Sequence, residues 1–330
     1  MLLLAFAGPW APMSRADAPI VPAGAELELL WNDGEFTEGV AVAPDGRIYF
    51  SDIARDKKPG RILVFDPRTG KTRVFCADSG KSNGLMFDRN GRLIAACGAN
   101  YGKRAICEVR PDGTLRVIVD RYQGKRLNSP NDLVIHPDGS IYFSDPRYIG
   151  PEPMELDHMS VYRLAPDGTL TRVTFDIEKP NGVALSPDLK TLYVAETNNG
   201  TTHIVPGVRT EPGRMTLNAF PVRRDGSLGR KRVLVDFGKE LGTDGMTVDT
   251  QGRIYAAVRS ERRHGIVVFS PQGKELAYIP TEPLPTNCCF GNGPEIHTLY
   301  ITAGTGLYRI RLNATGFHPA TAPWPPRRER

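Results

Sequence analysis

Apolar and polar residues alternate along this chain over short runs, and the runs end at turn residues. The segment EGVAVAPDGRIYFSD from Glu38 shows the unit: a polar head, an alternating apolar run, an Asp-Gly turn and a second β-rich run, which together predict a hairpin. The plan returns in NGLMFDRNGRLIAAC from Asn83, NDLVIHPDGSIYFSD from Asn131, NGVALSPDLKTLYVAE from Asn181, DGMTVDTQGRIYAAV from Asp244 and NCCFGNGPEIHTLYIT from Asn287. The starts lie roughly 43 to 63 residues apart, a spacing suited to propeller blades. A second hairpin follows each first one, as in RILVFDPRTGKTRVFCAD and SVYRLAPDGTLTRVTFD, so each unit predicts four antiparallel strands.

The expected fold is therefore all-β, a six-bladed β-propeller over residues 25–313. The last hairpin, GLYRIRLNATGF, runs into a Pro- and Arg-rich tail over residues 314–330 without a fourth strand. Residues 25–31, AELELLW, form a strand with no hairpin partner. Pairing that first strand into the last blade closes the ring and leaves only short edges, which suits a monomer. Two β-sandwiches would use the same strands but give no reason for a polar residue to recur at one position in every unit. In a ring, innermost strands stand side by side around the axis, and Glu38, Asn83, Asn131, Asn181, Asp244 and Asn287 converge.

Taken singly, Asn-Gly, Asn-Asp and Asp-Gly are ordinary turn dipeptides. In register around a channel they become a ring of oxygen donors without sulfur or imidazole, which suits one hard divalent ion: Ca²⁺ first, then Mg²⁺ or Mn²⁺, with Zn²⁺ less natural. Glu38 and Asp244 would otherwise place like charges together in a partly desolvated channel.

Composition narrows the chemistry further. The net charge of +5 is small for 330 residues, and Lys and Arg are scattered, so no nucleic-acid surface is indicated; only Arg327, Arg328 and Arg330 make a basic end. The five cysteines include no CxxC pair and no zinc-like Cys/His spacing. H-E-x-x-H does not occur. Residues 1–24 begin with an apolar stretch and carry Ala16-Asp17-Ala18, a small-x-small cleavage pattern, and read as a signal peptide or disordered leader. That places the protein in the periplasm or outside the cell, or else in the cytoplasm if the leader is no signal. No segment is long and apolar enough to span a bilayer as a helix, so no membrane partner is expected.

The segments GKRLNSPNDLVIHPDGSIYFSDPRY, KPNGVALSPD, TDGMTVD and PTNCCFG resemble the SMP-30/gluconolactonase/regucalcin-like family of six-bladed propellers, with a likeness over residues 25–312. The resemblance implies one divalent ion at the channel centre held by Glu38, Asn131, Asn181 and Asp244. It also implies a sugar-acid lactone as small-molecule substrate, with phosphotriesters the substrates of related propellers. On that basis the metal acts as Lewis acid, water is the nucleophile, and Asp244 orients or deprotonates it. Asn83, Asn128, Asp132 and Asn287 become candidate substrate contacts, although Asn128 could instead cap the turn at Pro130 and Asp132 could buttress a ligand. Thr247 stands where some relatives carry an acid for a second calcium, so no second ion is expected. The run CGANYGKRAI also lacks the His-bearing segment of many bacterial gluconolactonases. A propeller that binds partners on its face, with the ion as a structural pin, is the non-catalytic alternative.

Overall fold

The second strand of each repeat is apolar on both faces, and that pattern fixes the architecture. Ile48–Asp52, Leu93–Cys97, Ile141–Asp145 and Ile254–Val258 are buried at every position. A strand buried on both faces must lie between two neighbours, whereas the outer strand Lys71–Cys76 keeps one exposed side. The computed structural model, which describes residues 18–203 and 207–323, shows the result. Among these residues are six four-stranded antiparallel sheets, each a blade, and five of them are built of consecutive strands. The innermost strands are Thr37–Val42, Ser82–Phe87, Leu133–Ile135, Pro180–Leu185, Thr243–Val248 and Pro285–Phe290, for blades 1 to 6. They neighbour one another in chain order, and the last lies against the first. The strand Glu28–Trp31 is the outermost strand of blade 6, paired with Gly306–Arg311.

The core is divided in the same way. Six hydrophobic clusters each lie between neighbouring blades. Phe50, Leu63 and Phe65 of blade 1, for example, meet Tyr300 and Leu307 of blade 6. Burying side chains of this size contributes ~1.5–3 kcal/mol each. All five cysteines are free thiols; Cys76, Cys97 and Cys107 pack as small hydrophobes between blades 1 and 2.

The predicted turns form as their chemistry requires. Gly46 takes φ +87°, and the Asp45 carboxylate accepts the Arg47 N–H at 3.1 Å, an arrangement repeated at Asp167-Gly168.

Two ends of the molecule extend this frame. The leader up to Asp17 and the terminal arginines lie outside the described residues. The described part of the tail does not fray. Gly316 bridges to Asp249, the Phe317 N–H donates to Val248 O at 3.2 Å, and the His318 ring bonds Gly291 O at 2.9 Å. Phe317 packs into the clusters on both sides of blade 4, and Ala320 into the cluster between blades 2 and 3. This segment covers the ends of the inner strands at Val42, Phe87 and Cys289.

Candidate functional site

In an antiparallel blade the inner strand begins where the second strand ends. The polar heads and the loops after the second strands therefore share one face of the ring, opposite the C-terminal segment. On that face lies a cavity of about 310 Å³ whose polar lining includes Glu38, Asn83, Asn131, Asn181, Asp244 and Arg259. Five of the six predicted heads thus meet in one place.

The remaining heads and contacts are placed otherwise. Asn287 does not line the cavity; its Oδ1 accepts the Cys288 N–H at 2.8 Å and its side chain bonds Asp132. Asp132 is buried beside the heads, where its carboxylate accepts the N–H of Leu133 at 2.9 Å and of Val183, in the next blade, at 3.0 Å. Burial pushes its carboxyl up to about 7, against those two hydrogen bonds. Asn128 is fully buried away from the cavity, its amide donating to the carbonyls of Asp145 and His158 at 3.3 and 3.2 Å. It braces a loop and is not positioned to touch a ligand.

The heads sit close because of the residue that follows them. A Cβ at Gly39 would lie 1.8 Å from Asn83 O of blade 2, and one at Gly182 would lie 2.3 Å from Asp244 O of blade 5. At Gly245 it would meet the Asn287 side chain at 2.1 Å. These glycines are not turn residues, as a dipeptide reading suggests. They lie where the inner-strand pairing is bulged, between Glu38 and Ala41 in blade 1 and between Pro180 and Val183 in blade 4. They let neighbouring inner strands touch, so that successive heads crowd the axis.

Carboxylates at the ends of second strands hold the loops that lead into the heads. Asp52 Oδ1 accepts the N–H groups of Glu35 and Phe36 at 2.8 and 3.1 Å, just ahead of Glu38. Asp145 accepts those of Asn128 and Ser129 at 2.8 and 2.7 Å, just ahead of Asn131. Glu196 accepts that of Glu178 at 2.7 Å and pairs with Arg214 at 2.8 Å, ahead of Asn181.

Sequence reading missed two residues that touch the heads. Arg259, just past the second strand of blade 5, places Nη1 2.6 Å from Asp244 Oδ2 and lies over the Phe36 ring. Its signal was a lone cation at a strand end whose counterpart in blade 4 is Thr197. Tyr148 lines the cavity, bonds the Asn181 side chain and donates to Thr197 O at 3.2 Å. Burial, then the negative charge of Asp244, push its phenol well above the ordinary value.

Electrostatically the heads are in conflict. Burial first and the neighbouring Asp244 second raise the Glu38 carboxyl well above its usual range, while the Gly39 N–H, 3.0 Å from Oε2, and Arg259 oppose that shift. The Asn83 side-chain oxygen Oδ1 is buried without a hydrogen-bond partner. Two carboxylates, amide oxygens and an orphaned acceptor fit a hard cation chemically. Among the described residues no cluster of three or more His, Cys, Asp or Glu is present, so a site here relies on carboxamides for half its ligands.

A closed ring of six blades with a polar-headed cavity on one face defines a propeller with a single axial site. The profile of the SMP-30/Gluconolactonase/LRE-like region matches residues 36–305, and the chain belongs to that family. It is 32% identical over 320 residues to a gluconolactonase of Zymomonas mobilis, covering 92% of this chain and 85% of that protein. It is 28% identical over 279 residues to the pentonolactonase XacC of Haloferax volcanii, covering 82% and 81%. The solved structure of XC5397 from Xanthomonas campestris, described as a gluconolactonase, superposes with a TM-score of 0.75 at 32% identity, covering 90% of this chain and 95% of that one.

Proposed function

We propose that this protein is a lactone hydrolase of the gluconolactonase type, in which water opens a cyclic ester at the polar heads, with sugar-acid lactones the reference substrates. The observation that carries this reading is the meeting of Glu38, Asn83, Asn131, Asn181 and Asp244 in one cavity, in a chain whose relatives are named for lactone hydrolysis. Glu38, Asn131, Asn181 and Asp244 would hold one divalent ion, Ca²⁺ before Mg²⁺, Mn²⁺ or Zn²⁺. Bound there, it supplies Lewis-acid polarisation of an ester carbonyl.

The protein's own groups do the rest. Arg259 engages Oδ2 of Asp244 and fixes that carboxylate in place, which leaves Oδ1 to take a proton from the attacking water. The water oxygen bonds to the carbonyl carbon, the ring C–O bond breaks, and the proton passes to the released alkoxide, giving a hydroxy acid. Tyr148 holds Asn181 in place through its hydroxyl. Asn83, through its unpartnered Oδ1, accepts a hydrogen bond from a substrate hydroxyl or the water. The leader over residues 1–24 fits export to the periplasm or beyond.

The test is a lactone panel that includes glucono-δ-lactone, run beside a phosphotriester panel, with and without chelator. Lactone turnover that chelator abolishes and Ca²⁺ restores is expected. Asp244→Asn and Glu38→Gln should each lower it by about 100-fold or more. If both variants keep bound metal and full activity, the site lies elsewhere; turnover of phosphotriesters alone would assign a different reaction.

A further inference from the structure

Above the heads, several polar groups of the cavity already hold a partner within the protein. The Ser129 hydroxyl accepts the Ala99 N–H at 2.9 Å, and the Thr197 hydroxyl donates to Thr243 O at 2.7 Å. The Lys81 ammonium donates to Ala54 O and Asp56 O, and Asn199 Oδ1 accepts from the Thr201 hydroxyl at 2.8 Å. What remains of the wall is Phe36, Ile53, Ala99, Pro130, Ile149 and Leu241. Phe36, Pro130 and Leu241 precede inner strands; Ile53, Ala99 and Ile149 follow second strands. Four blades thus contribute apolar side chains to one rim.

That rim is held in place and is open to solvent. Glu152 accepts the backbone N–H groups of Asn100 and Tyr101, which fastens the loop carrying Ile149 to the loop after the second strand of blade 2. Ile149 is nevertheless 60% exposed and Tyr101, on the fastened loop, 52%. Large apolar side chains held at the lip of a cavity mark a surface that awaits an apolar ligand group.

A polyhydroxylated ring fits this wall poorly. Each hydroxyl desolvated without a partner weakens binding on the order of 10-fold or more. Each methylene laid against apolar side chains strengthens it about fourfold. We propose that the lactone this protein opens best carries an apolar substituent, an alkyl chain or aryl group, seated on Phe36, Ile53, Ile149 and Leu241 while the ester carbonyl faces the heads. This rests on the lactone-hydrolase reading above. The product is an amphiphilic hydroxy acid, with its carboxylate formed at the heads and its apolar tail toward the lip.

The experiment measures kcat/KM of the intact, Ca²⁺-supplied protein on δ-valerolactone, δ-hexalactone, δ-octalactone and δ-decalactone, with glucono-δ-lactone alongside. One ring size throughout isolates the substituent. A rise of about fourfold per methylene until the wall is covered, with the longer lactones above glucono-δ-lactone, is the expected result. Ile149→Asn and Leu241→Asn should each flatten that rise; the exposure of Ile149 keeps the first variant folded. Turnover of glucono-δ-lactone with no dependence on chain length overturns this inference and leaves the lactone-hydrolase reading standing. A slope that survives both substitutions overturns it too, and no turnover of any lactone removes both.

Discussion

Replacing Gly182 by Ala tests the idea that the heads are placed by direct contact between inner strands. The added Cβ would lie 2.3 Å from Asp244 O and 2.9 Å from Gly245 Cα, both backbone atoms of the neighbouring blade, where ordinary contact begins at 3.4 Å. The difference, 3.4 minus 2.3, requires blades 4 and 5 to part locally by about 1.1 Å, since neither atom belongs to a side chain that can swing away. Overpacking of this kind costs about 1–3 kcal/mol. The same displacement separates Asn181 from Asp244, and a shift near 1 Å at reacting groups lowers kcat/KM by about 100-fold. Gly70→Ala is the control: Gly70 sits in an exposed turn at φ +68° with open space where a Cβ would go. It should lose about 1–2 kcal/mol through backbone strain alone, with kinetics unchanged. Urea unfolding and lactone turnover on the parent and both variants supply the comparison. If Gly182→Ala is as stable as the parent and retains its kcat/KM, the close approach does not position the site.

Arg259→Met removes the partner 2.6 Å from Asp244 Oδ2 and should lower kcat/KM by about 10- to 100-fold with the circular dichroism spectrum retained; a fully active variant would show that Asp244 needs no partner. Asp145 supplies a pH test. Burial pushes its carboxyl up to about 7 despite hydrogen bonds from Asn128 and Ser129. A raised acid stabilises the native state fully below its unfolded value of about 3.9 and loses that contribution as pH rises through the folded value. Unfolding free energies of the parent and Asp145→Asn, measured from pH 4.5 to 8, should therefore move in the variant's favour as pH rises, and parallel curves would contradict the shift. Phe317→Ala, at the far end of the channel, should cost about 2 kcal/mol in urea unfolding while leaving kcat/KM alone; lost turnover at unchanged stability would couple that plug to the site.

The ring was legible in the sequence because a polar head at the start of each inner strand has no purpose in a packed core, and its sixfold return can be satisfied only where equivalent positions meet. Glu38 and Asp244 were legible for the same reason. Asn128 stayed open between a ligand contact and a turn cap because an Asn two residues before a Pro looks the same whether its amide faces a ligand or, as here, two backbone carbonyls. Asn287 belongs to the repeat yet turns toward Asp132, with its side chain lying against Gly245 of blade 5. Arg259 lay beyond sequence reasoning, since its distance from Asp244 depends on how far the second strand of blade 5 runs past the first. The packed tail was hidden as well: a Pro-rich segment with one Phe gives no periodicity, and only the channel end it covers explains why Phe317 is apolar.

These placements together account for how two acids survive on one axis. Glu38 and Asp244 are each nearly buried, and neither could be tolerated there unless its charge were opposed. Arg259 opposes one of them directly; Glu38 has only the Gly39 N–H and the more distant guanidinium, and its carboxyl is raised accordingly. The asymmetry separates the roles of the two acids. Asp244 is paired with Arg259 and is suited to accept a proton, whereas Glu38 is the group with most to gain from a cation. Removing metal should therefore destabilise the parent protein, and Glu38→Gln should reduce that metal dependence of stability more than Asn83→Ala does. Chelator titrations followed by thermal unfolding, which need no turnover, would read the difference directly, and equal effects of the two substitutions would refute the assignment.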